Sequence, residues 1–314
     1  MLKYIARKLL LAIPVLLGLT IIDYAIMSLA GSPLDMMTGP RTTQAAIALR
    51  AEQWGLNQSF WGQYVSWLSE LLRGNLGYSY KSFQPVSEMI GSHMGPTLLL
   101  MGASLIAGLL IAVPAGIYSA IHRYKKRDFA VVTASFFGSS IPGFFLAMVL
   151  VYFLNVKLQW LPSGGMVTAS VGGGFWDIAR HMVMPVTVLA VSIAGSNIRY
   201  IRSAVLEILE MDYLRTAKSK GIGRFKVINK HALRNALLPI VTVIGMHIPT
   251  LFGGSIIVEQ IFSWPGLGLI TMNAITARDY PVIMGVCLLS AVVVLVGNLL
   301  TDIVYGLVDP TIKY

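Results

Sequence analysis

The stretch DYLRTAKSKGIGRFKVINKHALRNALLP, residues 212–239, is strongly basic, yet only 12% of the chain is charged. Val205, Ile208 and Leu209, just before the stretch, and Tyr213, within it, recur at helical spacing. This spacing predicts that an amphipathic helix enters the stretch and runs on through Ala217. The basic stretch therefore begins as a patterned helix.

Two glycines, Gly221 and Gly223, end this helix. A second helix is predicted over residues 224–238, and Pro239 marks its junction with the next segment. The pattern is typical of a helix, a glycine turn and a helix, a shape that suits a groove on another protein. The alternative is a basic loop that only sets topology or touches anionic lipid headgroups.

The rest of the chain is apolar, with 55% hydrophobic residues and a mean hydropathy of +0.70. A helix needs about 20 apolar residues to cross a bilayer. Six runs qualify or come close: residues 9–30, 97–121, 129–156, 182–198, 236–258 and 282–308. The sequence predicts an all-α membrane protein with six transmembrane helices, in which Pro114 and Pro142 kink their helices.

Orientation follows from the cations, because short loops rich in Lys and Arg stay cytoplasmic. Most of the 24 Lys and Arg residues fall on the side that holds both termini and the basic stretch. Both termini are therefore predicted to be cytoplasmic, and the net charge of +10 is explained without nucleic-acid binding. Cys287 is the single cysteine, which excludes an intramolecular disulfide.

The external segment 31–95 has the sequence signals of two short helices. Thr42 or Thr43 can cap the first and Gly55 ends it, while Ser59 can cap the second and Gly74 ends it. These helices either pack on the mouth of the helix bundle, or lie in the membrane interface through their tryptophans, or dock an external partner.

These features together resemble the permease subunits of ATP-binding-cassette importers, in the dipeptide, oligopeptide and nickel branch. The resemblance covers nearly the whole chain, through YIARKLLLAIPVLLGLTIIDYA, WGLNQSFWGQYVSWL, GNLGYSY, the basic stretch, EQIFSWPGLG and DYPVIMG. It implies the type I importer permease fold, with a cytoplasmic coupling helix hairpin and an external helical segment after the first span. The expected divisions are an N-terminal transmembrane helix 1–30, the external segment 31–95 and a five-helix core 96–314 that includes the hairpin 199–238.

The resemblance also implies that the hairpin tip contacts a cytoplasmic ATPase subunit. The wider importer family carries Glu-Ala-Ala and, after three residues, Gly at positions that here read Arg215, Thr216, Ala217 and Gly221. Gly223 and Pro239 are expected hinge positions. The residues assigned to ATPase contact are Tyr213, Leu214, Arg215, Thr216, Ala217, Lys218 and Gly221.

The implied partners are a homologous second permease subunit, two cytoplasmic ATPase subunits, an extracytoplasmic substrate-binding protein and the lipid bilayer of a bacterial or archaeal inner membrane. No Gly-Lys dipeptide occurs in the chain, which excludes a Walker A loop. No zinc-protease motif or nucleophile elbow occurs either. We therefore expect a non-catalytic subunit that binds no metal or cofactor, with ATP and Mg held by the partner ATPases.

Ionisable residues inside membrane spans are costly and therefore mark candidate path residues. His247, Glu259 and Asp23 are the candidates for the translocation path, with a satisfied packing histidine as the alternative for His247. Asp302, near the cytoplasmic end of the last span, is interpreted as an interfacial or inter-subunit partner.

Three alternatives remain open at this point. A nickel-chelate importer permease looks the same at this level, although five scattered histidines favour peptides. A secondary transporter driven by an ion gradient would need coupling-ion sites within the membrane, of which few are present. A membrane-anchored scaffold would bind its partner without transporting anything.

Overall fold

The structure is a computed structural model that describes residues 2–34, 43–169, 172–221, 223, 243 and 245–308. The description of the fold is confined to these residues. The helices are α1 (Leu2–Leu29), α2 (Gln44–Gln53), α3 (Phe60–Leu72), α4 (Val86–Ile121), α5 (Lys126–Ser140), α6 (Gly143–Leu150) followed by a π-helical segment (Val151–Lys157), α7 (Phe175–Glu210), α8 (Asp212–Ser219), α9 (Thr250–Gly253), α10 (Ile256–Ile261), α11 (Leu267–Ala277) and α12 (Tyr280–Val308).

Four helices, α1, α4, α7 and α12, are long and apolar enough to cross a membrane, and α5 with α6 forms a bent fifth. These agree with five of the six predicted spans. The remaining predicted span, residues 236–258, is described only at residue 243 and from residue 245 onward. Its described outer end is broken, because α9 stops at Gly254, whose φ is +65°, and α10 begins two residues later.

The third predicted span is not one straight helix. Residues Lys126–Ser140 and Gly143–Lys157 meet at 92°. Pro142 immediately precedes α6, and at the start of a helix the missing N–H of proline breaks no hydrogen bond. Ile141 has an extended backbone, which is the conformation favoured for a residue that precedes proline. The expected kink is therefore a full break. Pro114, by contrast, lies inside α4, which runs on to Ile121.

The external helices form where their caps predict. The Thr43 side chain accepts a hydrogen bond from the backbone N–H of Ala46, and the Ser59 side chain accepts one from Gly62. Both helices end before glycines with positive φ, Gly55 at +67° and Gly74 at +82°. The caps and the left-handed glycines set these boundaries locally.

The second external helix packs on the outer end of α1. The hydroxyls of Tyr64 and Thr20 lie 3.0 Å apart in a buried contact, and Tyr24 donates to the Gln63 side chain at 3.1 Å. Helix α3 therefore packs on the helix bundle, as the first of the three interpretations of this segment predicts. Trp61, on the same helix, remains exposed.

The chain turns between α7 and α8, whereas the sequence analysis predicts one continuous helix through Ala217. Met211 adopts an extended conformation with ψ of 143° and separates the two helices. The turn brings Leu214, which is 1% exposed, into the cluster that holds Val205 and Ile208. Burial of Leu214 in place of Tyr213 is the physical reason for the break.

The contact between α4 and α7 is the centre of the bundle. A Cβ atom on Gly108 would lie 2.7 Å from Ile193 Cγ2, and one on Gly116 would lie 2.9 Å from Ile201 Cγ2. Gly108, Ala112 and Gly116 form a stripe of small residues at four-residue spacing on α4. Such a stripe lets two membrane helices approach closely.

The bent span is held to α7 in the same way. A Cβ atom on Gly195 would lie 2.7 Å from the backbone nitrogen of Ser139 and 2.8 Å from the Ser135 carbonyl oxygen. Arg199, one turn along α7, donates to the Ser139 hydroxyl at 3.0 Å and to the Ser135 carbonyl at 3.2 Å. The end of α5 before the break is thus fixed to α7.

Substitution of Gly195 by alanine should separate α5 from α7. We expect Gly195→Ala to lower the free energy of unfolding by about 1–3 kcal/mol, because the added methyl overlaps backbone atoms that cannot rotate away. Gly102→Ala is the matched control, since no atom lies within 4 Å of a Cβ at that helical position. Thermal unfolding of the purified chain in detergent measures both, and equal midpoints would contradict the close contact.

Candidate functional site

The segment assigned to ATPase contact forms helix α8. Leu214 is buried in the chain's own core, whereas Tyr213 and Thr216 are exposed. Arg215, Ala217 and Lys218 lie on the same helix, and Gly221 follows it with φ of +77°. The helix therefore has an anchoring face and an outward face. Gly223 is described, but Pro239 and the second helix of the hairpin lie outside the described residues.

A buried carboxylate joins three helices, α4, α5 and α7, at one end of the bundle. Asp128, at the start of α5, accepts hydrogen bonds from Nε and Nη2 of Arg202 on α7, both at 2.7 Å. It also accepts from the Ser119 hydroxyl on α4 and from the backbone N–H of Tyr124 at 2.9 Å. Four donors on three chain segments therefore meet at one side chain.

The loop between α4 and α5 is shaped for this contact. Tyr124 has φ of +63°, a left-handed conformation that costs a non-glycine residue about 1–3 kcal/mol and turns its N–H toward Asp128. Arg123, in the same loop, forms an ion pair with Glu210 at the end of α7. The loop is thereby attached to α7 next to the turn into α8.

Glu259 is completely buried on the outer side. Its carboxylate accepts from the Thr97 hydroxyl at 3.1 Å and from the backbone N–H of Leu269, in the first turn of α11, at 3.1 Å. A carboxylate in this position complements the positive end of the helix dipole. In the motif EQIFSWPGLG, Glu259 thus binds the first turn of α11, the helix that begins at the end of the motif.

Glycines make room for this carboxylate. A Cβ on Gly266 would lie 2.5 Å from Glu259 Oε2, and one on Gly254 would lie 2.7 Å from Oε1. The indole Nε1 of Trp264, also fully buried, donates to the Pro96 carbonyl at 2.9 Å. In this conformation, Glu259 faces protein groups on all sides and holds α11 against α4.

His247 is half-buried and contacts α7. Its Nε2 lies 3.0 Å from the Asn197 side-chain nitrogen, which also donates to the Ile193 carbonyl at 2.7 Å. Asp23 is partly exposed on α1, and it makes no hydrogen bond or ion pair with the residues that the structure describes. The three path candidates therefore lie in three different environments, not in one cluster.

Asp302 does not need a second subunit for its pairing. It accepts hydrogen bonds from Lys8 and, at 3.2 Å, from Tyr4, both near the start of α1. Asp302 therefore pairs within the chain, and its role as an interfacial or inter-subunit partner stays a prediction. Helix α1 lies alongside α12, so that the first and last spans meet near Lys8 and Asp302.

A second buried carboxylate organises the outer mouth. Asp279, just before α12, accepts from the Ser79 hydroxyl at 2.5 Å and from the Tyr80 backbone N–H at 2.9 Å. The Tyr80 ring stacks on Trp54 with centroids 4.0 Å apart. Burial raises the pKa of the Tyr80 hydroxyl above its usual range. These contacts join the external segment to the start of the last span.

Sequence reasoning missed Asp128 and Asp279 as organising residues. Asp128 follows three consecutive cations in the sequence. The signal that could have identified it is a single acidic residue at the start of a helix. Asp279 lies 200 residues from its partner Ser79, so that no local pattern could connect them. Within the described residues, no three His, Cys, Asp or Glu side chains converge on a possible metal position.

Comparison with known proteins decides the family. A model of the family described as binding-protein-dependent transport system inner membrane component matches residues 112–314. The chain belongs to this family. It is therefore an ABC importer permease, a multi-pass membrane subunit without catalytic activity of its own, and such permeases work with an ATPase and a substrate-binding protein.

Curated relatives extend the match over the whole chain. The oligopeptide transport system permease protein AppB of Bacillus subtilis is 43% identical over 100% of both chains. The dipeptide transport system permease protein DppB of Alkalihalophilus pseudofirmus is 37% identical, also over 100% of both chains. The glutathione transport system permease protein GsiC of Salmonella typhimurium is 36% identical over the same full lengths.

The fold has a solved counterpart. An inward-facing structure of the MetNI methionine ABC transporter matches with a TM-score of 0.53, covering 69% of this chain and 97% of that chain at 19% identity. The likeness shows the type I permease fold. It also agrees with the predicted all-α architecture.

Removal of the Asp128 charge should loosen the contact among α4, α5 and α7. We expect Asp128→Asn to lower the free energy of unfolding by about 2–3 kcal/mol, because Arg202 loses its counter-ion. A fully buried pair would lose about 3–5 kcal/mol, but the Arg202 side chain is 21% exposed.

Glu70→Gln is the matched control for Asp128→Asn. Glu70 pairs with Arg73 at 3.0 Å on the exposed surface of α3, where we expect a loss of about 0.5 kcal/mol or less. Denaturant unfolding of the purified permease compares the two variants, and equal losses would contradict a special role for Asp128.

Proposed function

We propose that this permease forms half of the translocation path for di- or oligopeptides in an ATP-driven importer. The relatives named for oligopeptide, dipeptide and glutathione transport support a peptide-like substrate. The other half of the path is a homologous second permease subunit. The complex lies in a bacterial or archaeal inner membrane, with both termini of this chain in the cytoplasm.

In this proposal, α8 is the coupling helix, and its outward face enters a cleft of one of two ATPase subunits. Tyr213 and Thr216 are exposed for this contact, while Leu214 anchors the helix to the permease. Arg215, Ala217, Lys218 and Gly221 complete the contact segment. Gly223 and Pro239 act as hinges on either side of the second hairpin helix.

The single observation that carries the coupling proposal is the linkage between α8 and the spans. Arg202 and Glu210 lie on the part of α7 that leads directly into α8, and they bind Asp128 and Arg123. A displacement of α8 is therefore passed to α7 and, through Asp128, to α4 and α5. ATP binding shifts the equilibrium between the inward-facing and outward-facing states only to the extent that the two states differ in their affinity for ATP.

The translocation path runs past His247. The polar contact between His247 and Asn197, which lies inside α7, marks the point where a break in the fifth span meets the fourth. Asp23 is a second path candidate on α1. Glu259 acts on the path indirectly, through the position of α11 at the outer mouth.

Disruption of the hairpin turn tests the coupling proposal. Gly221 has φ of +77°, whereas proline requires about −65°, so we expect Gly221→Pro to abolish co-purification of the ATPase subunits while membrane insertion persists. Gly74→Pro is the control, because φ at Gly74 is +82° on the opposite side of the membrane. Normal ATPase binding and peptide uptake by Gly221→Pro would refute the proposal.

Loss of the His247 side chain separates a path from a scaffold. We expect His247→Ala to reduce peptide uptake about tenfold, whereas the ATPase subunits still co-purify, because α8 and the Asp128 network remain intact. Uptake by reconstituted vesicles and pull-down of the complex measure the two properties. Unchanged uptake would assign His247 to packing alone.

A further inference from the structure

The outer face carries an open cavity of about 630 Å³ between the external segment and α11. Its walls include the aromatic residues Trp54, Tyr80 and Phe83 on one side and Met272 on the other. This volume falls in the range of small-molecule sites, which are about 300–1,000 Å³ and mostly apolar with a few polar groups.

Besides the Thr276 hydroxyl, which donates to the Met272 carbonyl, three polar side chains line the same cavity: Lys81, Gln260 and Asn273. All three are exposed, and among the described residues none of their side chains has a hydrogen-bond or ion-pair partner. They come from three separate elements, namely the turn after Gly77, helix α10 and helix α11. One ammonium group and two amides thus surround a space with aromatic walls.

The walls are held rigidly. The turn that carries Lys81 wraps around the buried Asp279 carboxylate, which accepts from the Ser79 hydroxyl and the Tyr80 N–H. The Arg50 guanidinium lies over the rings of Trp54 and Phe83, 5.9 Å and 5.1 Å from their centroids. A site on supported elements loses less entropy when a ligand binds than a site on loose loops.

The opposite wall is equally supported. Helix α11 carries Asn273, and its first turn donates to the buried carboxylate of Glu259. Gln260 is the next residue after Glu259 on α10. The positions of both amides therefore depend on the same buried contact.

We propose that this cavity is a substrate subsite at the outer mouth, which binds small peptides with a free carboxylate before they enter the membrane. Lys81 pairs with the C-terminal carboxylate, Gln260 and Asn273 hydrogen-bond the peptide backbone, and the aromatic wall packs on a side chain. The inference rests on the proposed function, peptide import, and adds the place and the chemical group that this permease recognises.

A photo-crosslinking experiment tests the subsite in the complete reconstituted importer. The probe is a tripeptide that contains benzoylphenylalanine, used both as the free acid and as the C-terminal amide. We expect the free acid to label Met272, as found by mass spectrometry of the digested permease, and the amide to label it about fivefold less, as for loss of one exposed ion pair.

Substitutions of Lys81 test whether its ammonium group recognises the peptide carboxylate. Lys81→Gln should reduce labelling by the free acid to the level of the amide, and Lys81→Arg should restore it. Lys157→Gln is the matched control, because Lys157 ends the π-helical segment, does not line the cavity and should leave labelling unchanged.

Each contrary result has a distinct meaning. ATP-dependent uptake of the free acid without label on Met272, or equal labelling by acid and amide, would overturn the subsite and leave peptide import standing. Equal labelling would mean that peptides reach the cavity without recognition of their carboxylate. Failure of the wild-type importer to take up any peptide with ATP would overturn the proposed function and the subsite together.

Discussion

The pairing of Asp128 with Arg202 is the interaction on which the α8 end of the permease depends. Two hydrogen bonds of 2.7 Å fix the guanidinium, and the same carboxylate binds α4 through Ser119 and the α4–α5 loop through Tyr124. A buried ion pair adds little net stability compared with apolar packing, but loss of one partner is costly, so it specifies one arrangement of the helices. Here, it makes one unit of the ends of α4, α5 and α7, directly beside α8.

The outer half follows the same rule with different partners. Glu259 holds the first turn of α11 and the Thr97 hydroxyl of α4, and Asp279 holds the turn that carries the external segment. Each of these carboxylates is buried and each joins segments far apart in the sequence. Between the two ends of the bundle, the small residues of α4 let this helix pack closely against α7. The permease thus has polar attachments at both ends and an apolar contact in its middle.

Local signals in the sequence predicted most of the described helices. Thr43, Ser59, Gly55 and Gly74 act within a few residues, so the external helices were predicted with the correct ends. Tertiary contacts decided the rest. Gly195 and Arg199 of α7 hold the end of α5 before the 92° break, and the turn at Met211 depends on burial of Leu214. Asp279 was missed because its partner Ser79 is remote in the sequence, and Asp128 because it follows three cations while its partner Arg202 lies 74 residues away.

The central claim is that α8 and the cytoplasmic ends of α4, α5 and α7 move as one body. Double electron–electron resonance in the reconstituted importer tests it directly, with spin labels at Thr216 and Phe129 in a Cys287→Ala background. The account predicts one narrow distance that does not change between the ATP-free and the ATP-trapped states, while the distance from Thr216 to a label at Trp61 on the outer side does change. A shift or broadening of the distance between Thr216 and Phe129 would contradict it, since α8 would then move without the spans.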